Sequence, residues 1–124
     1  MKNKFTLLVV LLFAGVVSTY AQGGQRRTVE ERVQMTIGRI TDSLTLSTAQ
    51  QGDAKNTFTE YYNSMDKLRE GLEPGKRPEK AEMDKVTEMR DAKLKIIFTE
   101  QQFNKYKEME AAMRQRNSQR PGGQ

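Results

Sequence analysis

The fold is decided by a phrase that occurs twice, as Leu46-Ser47-Thr48-Ala49-Gln50 and as Phe98-Thr99-Glu100-Gln101-Gln102. Each copy has an apolar residue, a hydroxyl residue, two variable residues and a glutamine. At a helix start, such a hydroxyl accepts a hydrogen bond from a first-turn amide, and the glutamine accepts one from the N–H of the cap residue. Phe103 also stands at the spacing of a hydrophobic staple from Phe98. The two copies therefore predict helices that begin at Ser47 and Thr99.

The hydrophobic periodicity predicts four amphipathic helices. The first begins at Thr28, where Thr28-Val29-Glu30-Glu31 is a third capping box. The apolar stripes of the four helices comprise, in order, Val29, Val33, Ile37, Ile40 and Leu44; Ala54, Phe58, Tyr61, Met65, Leu68 and Leu72; Met83, Val86, Leu94 and Ile97; and Phe103, Tyr106, Met109 and Met113. No alternating run bounded by turns suggests a strand. The predicted fold class is all-α.

The chain is predicted to begin with a signal peptide, residues 1–21. A basic start precedes an apolar run over 5–17 that is too short to span a membrane, and Thr19-Tyr20-Ala21 is a small-residue cleavage site. We therefore expect export, cleavage near Ala21 and no stable membrane insertion afterwards. A flexible N-terminus, 22–27, then precedes a helical domain, 28–117, and a disordered tail, 118–124.

A break separates the second and third helices. Gly71, Pro74, Gly75 and Pro78 cluster there, and Pro78 is predicted to lie in the first turn of the third helix, which runs to about Phe98.

The composition favours a homodimer. From Gln22 onward, Leu, Ile, Val and Phe number 15 in 103 residues, so one copy buries little apolar surface by itself. The 19 basic and 16 acidic residues that remain without Lys2 and Lys4 give a net charge of +3. That excess is too small and too interleaved with acids to favour nucleic-acid binding.

Several kinds of chemistry are disfavoured by the residues that the sequence lacks. The chain has no His and no Cys, which removes most nucleophile–base pairs, the usual zinc ligands and any disulfide. The carboxylates alternate with Lys and Arg, as on solvated helix faces; Glu110 and Arg114 are one expected i,i+4 pair. We expect no enzymatic activity, no catalytic residues, no cofactor and no metal.

A few apolar residues fall outside the main stripes. On the third helix, Met89, Ala92 and Ile96 widen the apolar arc beyond what one core contact needs. Met35 lies opposite the first stripe, and Tyr62 lies at the edge of the second. Met35, Tyr62, Met89 and Ile96 are therefore candidate contacts either for an adaptable binding surface or for a dimer interface.

The paired phrases resemble the LTxxQ motifs of the Spy/CpxP family, periplasmic stress proteins of Gram-negative bacteria. The motif residues are Leu46, Ser47 and Gln50, then Phe98, Thr99 and Gln102; Ser47 and Phe98 replace the family's Thr and Leu. The resemblance spans about 28–116. It implies helical hairpins, a cradle-shaped antiparallel dimer and ATP-independent chaperone activity in envelope stress, with a sensor-kinase or zinc role in some members.

Our leading hypothesis is a periplasmic, dimeric chaperone that binds unfolded or misfolded envelope proteins. One alternative is a regulatory module for a single envelope partner of the sensor-kinase type. A weaker alternative is a metal-resistance protein, against which the absence of His and Cys argues.

Overall fold

Four α-helices account for most of the chain. The computed structural model describes residues 26–121, and the helices are α1 (Val29–Leu44), α2 (Thr48–Arg69), α3 (Lys80–Ile97) and α4 (Glu100–Gln119). No strand occurs within that range, which confirms the all-α prediction. The predicted signal peptide, 1–21, lies outside the described residues. No helix within 26–121 combines the length and the apolar character that crossing a membrane requires.

Three helices begin with the predicted capping boxes. The hydroxyls of Thr28, Ser47 and Thr99 accept hydrogen bonds from the third helical amide at 3.1–3.2 Å. The side chains of the third helical residues accept from the cap N–H in return, at 3.0–3.1 Å. These bonds satisfy amides that the helix itself leaves without partners.

The helix boundaries correct the sequence prediction at three places. Pro78 is not in the first turn of α3, because Glu79 is the N-cap and makes no capping bond through its side chain. α2 ends at Arg69, so Leu72 follows the helix and is 38% exposed instead of extending the apolar stripe. α4 continues to Gln119, two residues beyond the predicted end at 117.

Short links set the helix directions. Thr45 to Ser47 join α1 to α2, with Thr45 in the left-handed region at φ 54°. Phe98 and Thr99 alone join α3 to α4. The longer link, 70–79, contains Gly71 and Gly75 at φ values of 76° and 87°, which glycine adopts at little cost.

A small core joins the four helices. Its buried residues are Val33, Ile40, Leu44, Leu46, Ala54, Phe58, Leu94, Phe98 and Tyr106. α2 packs against α1 and α3, and α4 contacts those same two helices, whereas the backbones of α1 and α3 stay apart. Phe98 and Phe103 both approach the ring of Tyr106, at centroid distances of 6.1 and 6.4 Å. The ring of Tyr106 therefore packs near both residues of the predicted staple.

Candidate functional site

The two motif glutamines meet in the folded chain. Gln50 Nε2 donates a hydrogen bond to Gln102 Oε1 at 2.7 Å, and Gln102 Nε2 donates to Gln50 Oε1 at 3.3 Å. The same Gln50 amide group donates to the carbonyl of Ile97 at 3.1 Å. The Gln102 amide group donates to the carbonyl of Leu44, also at 3.1 Å. Each glutamine thus caps its own helix and binds the end of another.

The motif residues consequently have a structural role. Leu46 and Phe98 are buried at 7% and 4% exposure, so the apolar positions of both copies belong to the core. The sequence predicted the local caps but missed the contact between them. A signal for it is present: the two copies that meet carry Gln, which can donate, whereas the box at α1 carries Glu31, which cannot when ionised.

Met89 and Ile96 are the most exposed large apolar residues of the candidate surface. They lie seven positions apart on α3, which places them on one helix face. Met89 is 66% exposed and Ile96 is 86% exposed. Met89 also borders a small cleft between α2 and α3, beside Tyr61. This Met89–Ile96 face is the apolar surface that the described residues leave uncovered on α3.

Met35 lies on a different part of the molecule. It is 43% exposed on α1, and its sulfur lies 2.9 Å from Arg27 Nη1. Since the backbones of α1 and α3 stay apart, no contact within residues 26–121 joins Met35 to the Met89–Ile96 face.

Tyr62 is part of the packing between α1 and α2. Its ring packs beside the core, its hydroxyl lies 2.8 Å from the hydroxyl of Thr36, and the Arg32 guanidinium lies 5.0 Å from its ring centroid. The structure therefore separates the four candidate residues into three environments: an exposed α3 face, an exposed α1 position and a half-buried aromatic position.

A groove that the sequence did not reveal runs between α1, α2 and α4. It has a volume of about 230 Å³. Its lining combines aromatic, thioether and cationic side chains, among them Phe58, Tyr61, Tyr62, Tyr106, Met109, Met113, Arg39, Arg90 and Arg114. Arg39 spans the groove to α4, with Nη1 2.9 Å from the sulfur of Met113.

Arg90, from α3, also lines this groove and is buried, at 5% exposure. Its guanidinium lies 4.5 Å from the Tyr61 ring centroid and 5.6 Å from that of Tyr106. It pairs with Asp91 at 2.8 Å and with Glu110 at 2.6 Å. Such a charge is tolerated in a small core because carboxylates and aromatic faces surround it.

The charges around Arg90 shift the pKa values of their neighbours. Burial alone would raise the pKa of Glu110, but a hydrogen bond from Lys107 and the charge of Arg90 outweigh it and hold that pKa below its usual value. The pKa of Asp91 is likewise lowered, because hydrogen bonds from Lys107 and Arg90 outweigh its burial. Burial raises the pKa of Tyr106. The cluster is therefore fully ionised at neutral pH, with Tyr106 protonated.

The expected Glu110–Arg114 pair is present at 3.1 Å. The sequence placed Glu110 on a solvated face, whereas its carboxylate is mostly buried, at 16% side-chain exposure. No group of three or more carboxylates within 26–121 has the arrangement of a metal site.

Comparison with protein-family models, curated protein sequences and solved structures finds no match for this chain.

Proposed function

We propose that this protein is an exported, ATP-independent chaperone-like protein of the periplasm that binds unfolded or aggregation-prone envelope proteins. The observation that carries the proposal is the Met89–Ile96 face. A chain with a small core leaves Ile96 86% exposed and Met89 66% exposed on one helix. Exposed apolar groups of this kind favour association with apolar surface on another molecule.

The chemistry of this face suits varied partners better than a single rigid one. The Met side chain is flexible and polarisable, so it adapts to differently shaped apolar segments. Lys93 and Lys95 precede Ile96 in sequence. Lys93 pairs with Glu60, and Lys95 Nζ lies 5.4 Å from the Phe103 ring centroid. Cationic side chains beside apolar ones attract clients that carry acidic segments.

A homodimer is the second part of the proposal. The described core contains few large apolar side chains, and a second copy would add buried area without a longer chain. The Met89–Ile96 face is available either to a client or to that second copy, so the experiment has to separate the two.

The direct test is suppression of light scattering by a chemically denatured client, measured without nucleotide. The M89S/I96S variant removes apolar surface from α3, and L72S removes an exposed Leu from the 70–79 link as the matched control. We expect the exported protein and L72S to suppress aggregation near one dimer per client, and M89S/I96S to lose most of this effect.

Sedimentation of the same variants separates client binding from dimer formation. A dimer that survives in M89S/I96S assigns the face to clients, whereas loss of the dimer assigns it to the subunit interface. No suppression by the unmodified protein at stoichiometric dimer would refute the chaperone proposal.

A further inference from the structure

A basic cleft lies at the end of the molecule opposite the glutamine pair. It is formed by the segment before α1, the first turn of α1, the end of α2 and the link to α3, and its volume is about 880 Å³. Six cationic residues line it: Arg26, Arg27, Arg32, Arg69, Lys76 and Arg77. Because they come from three separate parts of the sequence, the cluster exists only in the folded chain.

Nearby carboxylates offset only part of this charge. Glu73 is the single acidic residue among the described residues that line the cleft, and it pairs with Lys76 at 3.3 Å. Asp66 pairs with Arg32 and, at 3.8 Å, with Arg69. Within 26–121, no ion pair involves Arg26, Arg27 or Arg77. The cleft therefore keeps a net positive charge.

The types of side chain indicate which anion fits. Five of the six cations are arginines, whose planar guanidinium donates two parallel hydrogen bonds to a phosphate or carboxylate. Several such groups around one cleft favour a ligand that presents more than one phosphate at close spacing. Leu72 and Pro74 add apolar surface to the same lining.

We propose that this cleft binds closely spaced phosphate groups, either on the surface of an anionic phospholipid membrane or in a soluble polyphosphate. This inference goes beyond the proposed chaperone activity, because the cleft shares no lining residue with the Met89–Ile96 face.

The test uses the exported, processed protein with two probes: tripolyphosphate in calorimetry and phosphatidylglycerol-containing vesicles in co-sedimentation. The R26Q/R77Q variant removes two cleft cations that form no ion pair with any residue of 26–121. K55Q/K105Q removes the same charge from exposed residues of α2 and α4 outside the cleft. Circular dichroism checks that both variants keep their helices.

We expect R26Q/R77Q to weaken binding of the effective probe at least about fivefold, and the control to change it less than about twofold. Binding of tripolyphosphate assigns the site to a soluble anion; binding of vesicles alone, weakened further by L72S, assigns it to lipid. Failure of both probes to bind at low salt, or equal weakening by the two variants, would overturn the proposal.

Discussion

Gln50 and Gln102 stand 52 residues apart in sequence and donate hydrogen bonds to each other through their side-chain amides, at 2.7 and 3.3 Å. Each Oε1 also accepts from the N–H of its own cap residue, and each Nε2 also donates to a backbone carbonyl. Both amides therefore use two donor and two acceptor positions. A pair satisfied this fully is sensitive to the loss of a single donor.

Replacing either glutamine with glutamate should destabilise the protein. In Q50E or Q102E the carboxylate still caps its helix, but it cannot donate a hydrogen bond to the other glutamine. It also cannot donate to the backbone carbonyl that the original amide contacts, which is that of Ile97 for Gln50 and that of Leu44 for Gln102. We expect each variant to lower the free energy of unfolding by about 1–3 kcal/mol, measured by urea denaturation at pH 7. E31Q is the matched control, because Glu31 caps α1 through the same local bonds; its stability should stay within about 0.5 kcal/mol. Equal stability of Q50E, Q102E and E31Q would contradict the role of the pair.

Acid should destabilise the fold through Glu110 and Asp91. Their pKa values are lowered in the folded protein from ordinary values of 4.5 and 3.8. The stabilisation is therefore fully present above those ordinary values and is lost as pH falls through the folded pKa values. Denaturation midpoints measured from pH 7 down to pH 2 should drop below about pH 4.5. The E110Q/D91N variant should be less stable at pH 7 and show a shallower drop, and a drop as steep as that of the unmodified protein would argue against this cluster.

Arg90 should be the most costly charged residue to replace. In R90M, Glu110 and Asp91 lose a buried partner, although Lys107 remains close to both, at 3.0 and 2.9 Å. We expect a loss of about 2–4 kcal/mol by thermal or urea unfolding. The comparison is K80M, which breaks the exposed Lys80–Asp84 pair and should cost less than about 0.5 kcal/mol. Similar losses in the two variants would show that the burial of Arg90 adds nothing.

Leu94 and Ile96 provide a contrast on a single helix. Leu94 is fully buried, whereas Ile96, two positions later, is 86% exposed. L94A should cost about 2–4 kcal/mol of unfolding free energy through lost burial and a cavity. I96A should change it by less than about 0.5 kcal/mol, since Ala is the better helix former and little area is lost. A loss above 1 kcal/mol in I96A, at concentrations where the protein is monomeric by sedimentation, would contradict the exposed position of Ile96.

The helix starts could be predicted because capping is local: Ser47 and Gln50 lie within one turn, and their chemistry needs no distant partner. The core stripes of α1 and α4 were predicted for a similar reason, since periodicity alone assigns a face. The end of α2 could not be predicted from periodicity, because Leu72 continues the apolar spacing of α2 although the helix ends at Arg69. Gly71 indicated that the helix ends in this region, but it did not indicate that Arg69 is the last helical residue.

The contacts between distant residues were beyond sequence reasoning. In the sequence, Arg90 looks like an ordinary exposed charge on an amphipathic helix. Its burial is possible because Glu110 and the rings of two tyrosines surround its guanidinium in the folded chain. The position of Tyr62 against Arg32 and Thr36 likewise depends on how α1 and α2 meet. In each case the missing information was the pairing of helices, which one sequence does not contain.

The glutamine pair also bears on how copies of this chain can exchange parts. Each glutamine accepts from the N–H of its own cap residue, donates to a carbonyl at the end of another helix and donates to the other glutamine. Such a junction does not distinguish whether its second glutamine comes from the same chain or from another copy. The link 70–79 is the covalent connection between α1–α2 and α3–α4. Shortening it until it no longer spans the gap should produce a domain-swapped dimer with both junctions intact.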